Sequence, residues 1–90
     1  RMRRELAAAY RLVALFGWSE ADYLEKSEGS ALRRLGYGRW LRNIAVALGN
    51  APRSAEAAAA LAARRDHPDP VVRTHVRWAI ERQELRPGPD

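Results

Sequence analysis

Arg33, Arg34, Arg39, Arg42 and Arg53 fall in a stretch that carries no acidic residue between Glu28 and Glu56. Guanidinium groups make charge-assisted, often bidentate contacts with phosphate oxygens, and Asn43 can add an amide donor beside them. The 90-residue chain has 16 Lys+Arg against 11 Asp+Glu, a net charge of +5; without those five arginines, 11 basic residues face 11 acidic ones. The positive field is therefore concentrated, and a concentrated patch draws a polyanion such as nucleic acid more strongly than the same charge spread evenly. The competing destinations for these arginines are a solvated face and carboxylates of another domain.

Other residues with chemical potential are few. His67 and His75 are too isolated for metal binding, and Asp66 and Asp69 lie in a turn whose capping needs explain them. Glu28, Ser30 and Tyr37 surround a second turn, where Ser30 reads as an N-cap for a helical turn at Ala31 and Glu28 as an ion-pair partner of Arg33 or Arg34. The chain contains no cysteine, so a disulfide, a thiolate metal site or a cysteine-ligated cluster cannot be built from it. No Gly-rich phosphate loop, nucleophile elbow or paired-carboxylate site can be assembled either. The segment by itself is expected to be inert as a catalyst.

Helices must position these side chains. Apolar residues recur at spacings of three and four almost throughout and nowhere alternate with period two, which predicts an all-α chain. A first helix is expected from about Arg3 to Phe16, with Leu6, Ala9, Tyr10, Val13 and Phe16 on one stripe and Gly17 at its end. Ser19 and Asp22 predict a capped short helix to about Lys26. A turn from Ala31 to Leu35 leads to Gly36-Tyr37-Gly38, where two glycines permit unusual backbone angles. A third substantial helix is expected over Arg39 to Leu48, closed by a left-handed cap at Gly49-Asn50. Ser54 caps an alanine-rich helix to about Arg64, and Asp69 with Pro70 opens the last one, to about Gln83. Residues 1–84 then form one helical module, and 85–90, with Pro87, Gly88 and Pro89, a frayed tail.

Phasing the third helix at about 100° per residue puts Trp40, Leu41, Ile44, Ala47 and Leu48 on its buried side and Arg39, Arg42 and Asn43 on the other. In the last helix Val72, Val76, Ala79 and Ile80 share a face, whereas Trp78 points away with Val71, His75 and Arg82. Such a stripe can stack on an exposed base; packing against a neighbouring element is the preferred reading. An offset of 32 residues sets Trp40 over Val72, Ile44 over Val76, Ala47 over Ala79 and Leu48 over Ile80. The run from Asp66 to Arg73 resembles the turn and second-helix start of a HEAT repeat. The fold class expected is a short HEAT-like all-α module of about five helices with right-handed solenoid-type packing.

Three words of sequence occur in a specific order: Leu15-Phe16-Gly17-Trp18-Ser19-Glu20, then Glu28 to Gly36 (EGSALRRLG), then Trp40 to Pro52 (WLRNIAVALGNAP). From Leu12 to Ile80 the chain resembles the C-terminal part of the epoxyqueuosine reductase family, differing mainly at Leu32 and Leu35, where isoleucine is common. The resemblance implies an oxidoreductase that depends on cobalamin and two [4Fe–4S] clusters and completes queuosine at the wobble position of tRNA. It also implies that the cofactor-binding domains precede this segment, whose HEAT-like helices help hold tRNA with a GUN anticodon. The docking residues are then Arg33, Arg34, Arg39, Arg42, Asn43 and Arg53, and no catalytic, cofactor or metal residue is expected here. One alternative is a scaffold that buttresses the preceding catalytic and iron–sulfur domains; another is a free-standing protein-interaction repeat. Opening on Arg1 fits a piece of a longer polypeptide. No apolar run approaches the roughly 18 residues of a membrane span and no signal peptide is visible, so a cytoplasmic, monomeric protein without membrane contact is expected.

Overall fold

The computed structural model describes residues 2–87, with the side chains of residues 2, 3, 5 and 6 left aside. Among the described residues the chain is all-helical, with α1 at Met2–Phe16, α2 at Glu20–Lys26, α3 at Leu32–Leu35, α4 at Tyr37–Asn50, α5 at Ala55–Ala62 and α6 at Pro70–Leu85. Arg1, Gly88, Pro89 and Asp90, and the expected place of Leu6 on the apolar stripe, lie outside what is described.

Local chemistry sets most of the helix starts. Ser19 and Asp22 form a reciprocal capping box: the Asp22 amide donates to Ser19 Oγ at 3.1 Å and the Ser19 amide to Asp22 Oδ2 at 3.0 Å. These bonds, led by that from the Ser19 backbone, hold the Asp22 carboxyl below its usual range. A lowered carboxyl pKa means the box is intact at neutral pH and is lost as the pH falls through that value. Ser54 Oγ accepts from the Ala57 amide at 3.0 Å, and Asp69 Oδ1 from the Val71 amide at 2.9 Å with Pro70 at the first helical position.

Several expected details are corrected. Ser30 caps nothing: its hydroxyl donates to the Ser27 carbonyl at 2.9 Å, and α3, with Ala31 at its N-cap position, has no side-chain cap. Of the two glycines around Tyr37, Gly36 does take a positive φ of 90°, but Gly38 is helical, so α4 begins at Tyr37 rather than Arg39. Gly49-Asn50 is not a left-handed cap. Helix α4 runs through both residues, and Ala51 follows in an extended conformation with φ −79° and ψ 163°. Helix α5 stops at Ala62 and turns, while α6 continues to Leu85. Arg86 is then tied back by its Nε, which donates to the Gly49 carbonyl at 3.2 Å. Of the expected apolar stripe of α1, Ala9 and Phe16 are buried and half-buried Val13 packs on the core, but Tyr10 is exposed, and half-buried Leu12 and Leu15 pack there beside them.

The most extensive contact joins α4 to α6. Gly38 lies beside Asp69 at their starts, and Gln83 reaches Leu48 and Ala51 at their ends, so the two helices run parallel. Leu41, Ala45 and Leu48 of α4 and Val72, Val76 and Ala79 of α6 are buried, which pairs the packed positions at an offset of 31 residues. The expected offset of 32 is corrected by one, because Trp40 turns half toward α2 while Leu41 takes the core. Helices α1 and α5 cover this pair, with contacts from α1 to α4, α5 to α6 and α1 to α5. The shortest extent of 16 Å leaves room for two helix layers, whose axes lie about 8–10 Å apart. Phe16, Ile44, Ala57 and Leu61 complete the core between them.

Two residues set how closely α4 meets α6. A Cβ on Gly49 would stand 2.8 Å from Trp78 Cζ3 and 3.0 Å from Ala79 Cα. Gln83, 3% exposed, donates from Nε2 to the carbonyls of Leu48 at 2.7 Å and Ala51 at 3.0 Å, and accepts on Oε1 from the Ser54 amide at 3.2 Å. One amide thus satisfies the end of α4 and the start of α5.

Gly49→Ala is expected to destabilise the fold by about 1–3 kcal/mol through overpacking, opposite in sign to the gain of about 1 kcal/mol that Ala brings in an open helix. Gln83→Leu keeps the volume but orphans those carbonyls and amide, at a cost of about 2–3 kcal/mol. Urea unfolding of each variant followed by circular dichroism measures both.

Candidate functional site

The five arginines of the acid-free stretch do not form one cluster. Arg39 and Arg42 line an open pocket of about 350 Å³ at the start of α4, together with Leu35, Gly36, Gly38, Asp69 and Val71. Helix α4 has no side-chain cap, so its first amides add the positive end of the helix dipole to that pocket. Arg33 and Arg34 sit on α3, whose last residue Leu35 forms the pocket wall; both are exposed. Asn43 is exposed one turn along α4 from Arg39. Arg53 lies elsewhere. About 16 Å of helix separates Arg39 from Asn50, beyond which Arg53 follows, and there it borders a different groove with Ser54, Ile80 and Glu84.

Hydrogen bonding further divides the set. Arg33 Nη2 donates to the Leu24 carbonyl at 2.9 Å, and Arg53 Nη1 to the Arg86 carbonyl at 3.0 Å. The expected ion pair from Glu28 to Arg33 or Arg34 does not form: among the described residues the ion pair is Arg77 with Asp66, at 3.0 Å on the surface. A carbonyl leaves the charge of Arg33 uncompensated, so the bond orients the guanidinium without neutralising it.

Asp69 was expected only to cap α6. Its carboxylate does so through Oδ1, while Oδ2 stands 3.0 Å from where a Cβ on Gly38 would be, inside the arginine pocket. A Cβ on Gly38 would press on that carboxylate oxygen where the α6 cap meets the first turn of α4. The signal was present in the sequence, since Gly38 and Asp69 are 31 residues apart, the same offset that aligns the buried positions.

The remaining sequence candidates are structural. The His67 Nδ1 accepts from the Asp69 amide at 3.1 Å, and its carbonyl accepts from Arg73 at 2.9 Å, which closes the turn before α6. Tyr37 donates its hydroxyl to the Trp18 carbonyl at 2.6 Å, and burial raises its pKa against the opposing influence of Arg64. Tyr23 is buried, donates to the Leu32 carbonyl and accepts from the Gly36 amide at 3.0 Å, pinning the turn that carries α3. Trp18 and Trp40 stack at 5.3 Å beneath it. Arg64, which sequence reasoning passed over, donates to the carbonyls of Phe16 at 2.8 Å and Trp18 at 2.9 Å and so locks α5 to the end of α1. Its only signal was its place in the Arg64-Arg65 pair just after the alanine-rich helix.

Among the described residues no group of three or more His, Cys, Asp or Glu could hold a metal ion, and no helix is long and apolar enough to cross a membrane. The arrangement offers positive charge and hydrogen-bond donors at the α3–α4 junction.

Curated proteins named epoxyqueuosine reductase are among those to which the chain is similar. It is 56% identical over 71 residues to that of Pseudomonas aeruginosa, covering 79% of this chain and 20% of the relative. It is 51% identical over 85 residues to that of Xanthomonas campestris pv. campestris, covering 94% of this chain and 24% of the relative. It is 51% identical over 75 residues to that of Escherichia coli, covering 83% of this chain and 20% of the relative. The chain therefore spans about a fifth to a quarter of the length of these relatives, and the part matched is their C-terminal segment. No protein-family profile and no solved structure matches it.

Asp69→Ser keeps a capping oxygen for α6 but removes the carboxylate from beside Arg39 and Arg42. Stability is expected to change by less than about 1 kcal/mol. Affinity for a polyanion such as heparin at low salt is expected to rise about fivefold, as for one nearby charge near a surface; isothermal titration alongside thermal unfolding checks both.

Proposed function

Because this chain belongs to the epoxyqueuosine reductase family, as a C-terminal segment, we propose that it is the helical module that helps dock tRNA in an enzyme reducing epoxyqueuosine to queuosine. The observation that carries the reading is the pair Arg39 and Arg42, which share a pocket at the uncapped start of α4 while the acids of the described residues leave them without an ion-pair partner. Arg33, Arg34 and Asn43 flank that pocket, and Arg53 serves a separate contact at the far end of α4. The role is electrostatic positioning: phosphates are held so that the wobble nucleoside reaches a catalytic centre outside this segment.

Parallel α4 and α6, covered by α1 and α5, support reading the module as two stacked HEAT-like helix pairs in a right-handed solenoid. The cobalamin and [4Fe–4S] clusters that the resemblance implies do not fit the residues present. The chain has no cysteine, and the described residues hold no cluster of other ligands. Those cofactors belong to the preceding domains in this reading, and the enzyme works in the cytoplasm, where its tRNA with a GUN anticodon is found.

A second reading has its own support. Arg33 and Arg53 spend hydrogen bonds on the chain's own carbonyls, as arginines of a structural module do, and the segment then buttresses the catalytic and cluster-binding domains.

The full-length protein separates the two. Replacing Arg39 and Arg42 together by alanine is expected to weaken tRNA binding and to reduce the slope of log affinity against log salt by about 1.5–2, one step per lost phosphate contact, with cofactor content unchanged. An unchanged slope with lower cluster retention would instead support the buttress.

A further inference from the structure

A second pocket lies one turn along the same groove. Val71 of α6 and Arg42 of α4 line the arginine pocket; four residues on, His75 and Val46 line a pocket of about 360 Å³ whose other walls are Thr74 and Trp78. Parallel helices place the two pockets in succession, about 6 Å apart along the axes. The first is cationic and the second apolar and aromatic, which is the alternation that single-stranded nucleic acid meets in its binding proteins: phosphate contacts beside a stacking surface.

Trp78 is built for such a surface. One edge of the indole is wedged against α4, where a Cβ on Gly49 would stand only 2.8 Å from Cζ3. Arg82, four residues toward the end of α6, stands over the ring with Cζ at 5.6 Å from its centroid. Trp78 lines its pocket with Val46, Thr74 and His75, and the residue remains 37% exposed. His75 Nδ1–H donates to the Val71 carbonyl at 2.8 Å, which holds that ring along the wall. An aromatic side chain oriented by packing loses little freedom when a flat ligand stacks on it. The preferred expectation of packing for Trp78 describes only its α4 edge.

We infer that the Val46–His75–Trp78 pocket takes an unpaired nucleobase, stacked on Trp78, of an RNA strand whose adjacent phosphate occupies the Arg39–Arg42 pocket. The inference rests on the docking reading above and adds base contact to phosphate contact.

The test uses the full-length protein and two probes: an RNA hairpin, and the same hairpin with abasic loop nucleotides, which keep every phosphate. Wild-type protein is expected to bind the intact hairpin about tenfold more tightly, since stacking one base is worth a factor of roughly 5–150. Trp78→Leu, which keeps apolar packing against α4, is expected to lose that tenfold preference and to bind the abasic hairpin as wild type does, whereas Trp78→Phe retains most of it. Quenching of tryptophan fluorescence by the intact hairpin in wild type, with the Trp78 part of it missing in Trp78→Phe, assigns the stacked indole to Trp78 among the three tryptophans of this segment. Equal binding of both hairpins by wild type, or an unchanged preference in Trp78→Leu, overturns the stacking pocket. Unchanged binding of both hairpins after Arg39 and Arg42 are replaced by alanine overturns the docking reading beneath it.

Discussion

The close parallel approach of α4 and α6 is the constraint from which the rest of this molecule follows. It exists because Gly49 contributes no side chain where Trp78 and Ala79 cross it, and because Gln83 supplies the hydrogen bonds that the end of α4 lacks. A buried amide in an apolar seam is costly unless every partner is present. Here it bonds the carbonyls that a helix end leaves open and the amide at the cap of the next helix, so the polar group specifies register while the apolar neighbours supply the driving force.

That register places the functional surface. With α4 and α6 in step, the cap of one lies against the first turn of the other, and Asp69 enters the pocket formed by Arg39 and Arg42. The short helices before α4 are held by aromatic side chains rather than by length. Tyr23 ties the α3 turn and Tyr37 ties the start of α4 to the loop after α1. A helix of four residues would not persist alone, so Arg33 and Arg34 owe their position to these tertiary hydrogen bonds.

Electrostatically the molecule is graded rather than uniformly basic. The charge excess resides in one stretch of sequence, but folding sends Arg53 to the far end of α4 and turns Arg33 toward a carbonyl. Arg64, Arg73 and Arg77 are used to fasten turns and helix ends. Arginine serves both ends here because its planar fork satisfies backbone carbonyls as well as it meets phosphate.

Helical class, the capping serines and aspartates, and the acid-free arginine stretch were all legible in the sequence, because each depends on residues within a few positions of one another. Ser19 with Asp22, Ser54, and Asp69 with Pro70 act where they were expected. Gly49 and Ser30 were misread for a shared reason: the local rule names a cap wherever glycine or serine ends a helical pattern, while the reason for Gly49 sits on another helix and Ser30 finds an earlier carbonyl. The register between α4 and α6, the roles of Gln83 and Arg64, and the division of the arginines between two ends of α4 were decided only by tertiary structure. Each depends on groups about 30 or more positions apart meeting in space, and no periodicity within a helix encodes which neighbour it will face.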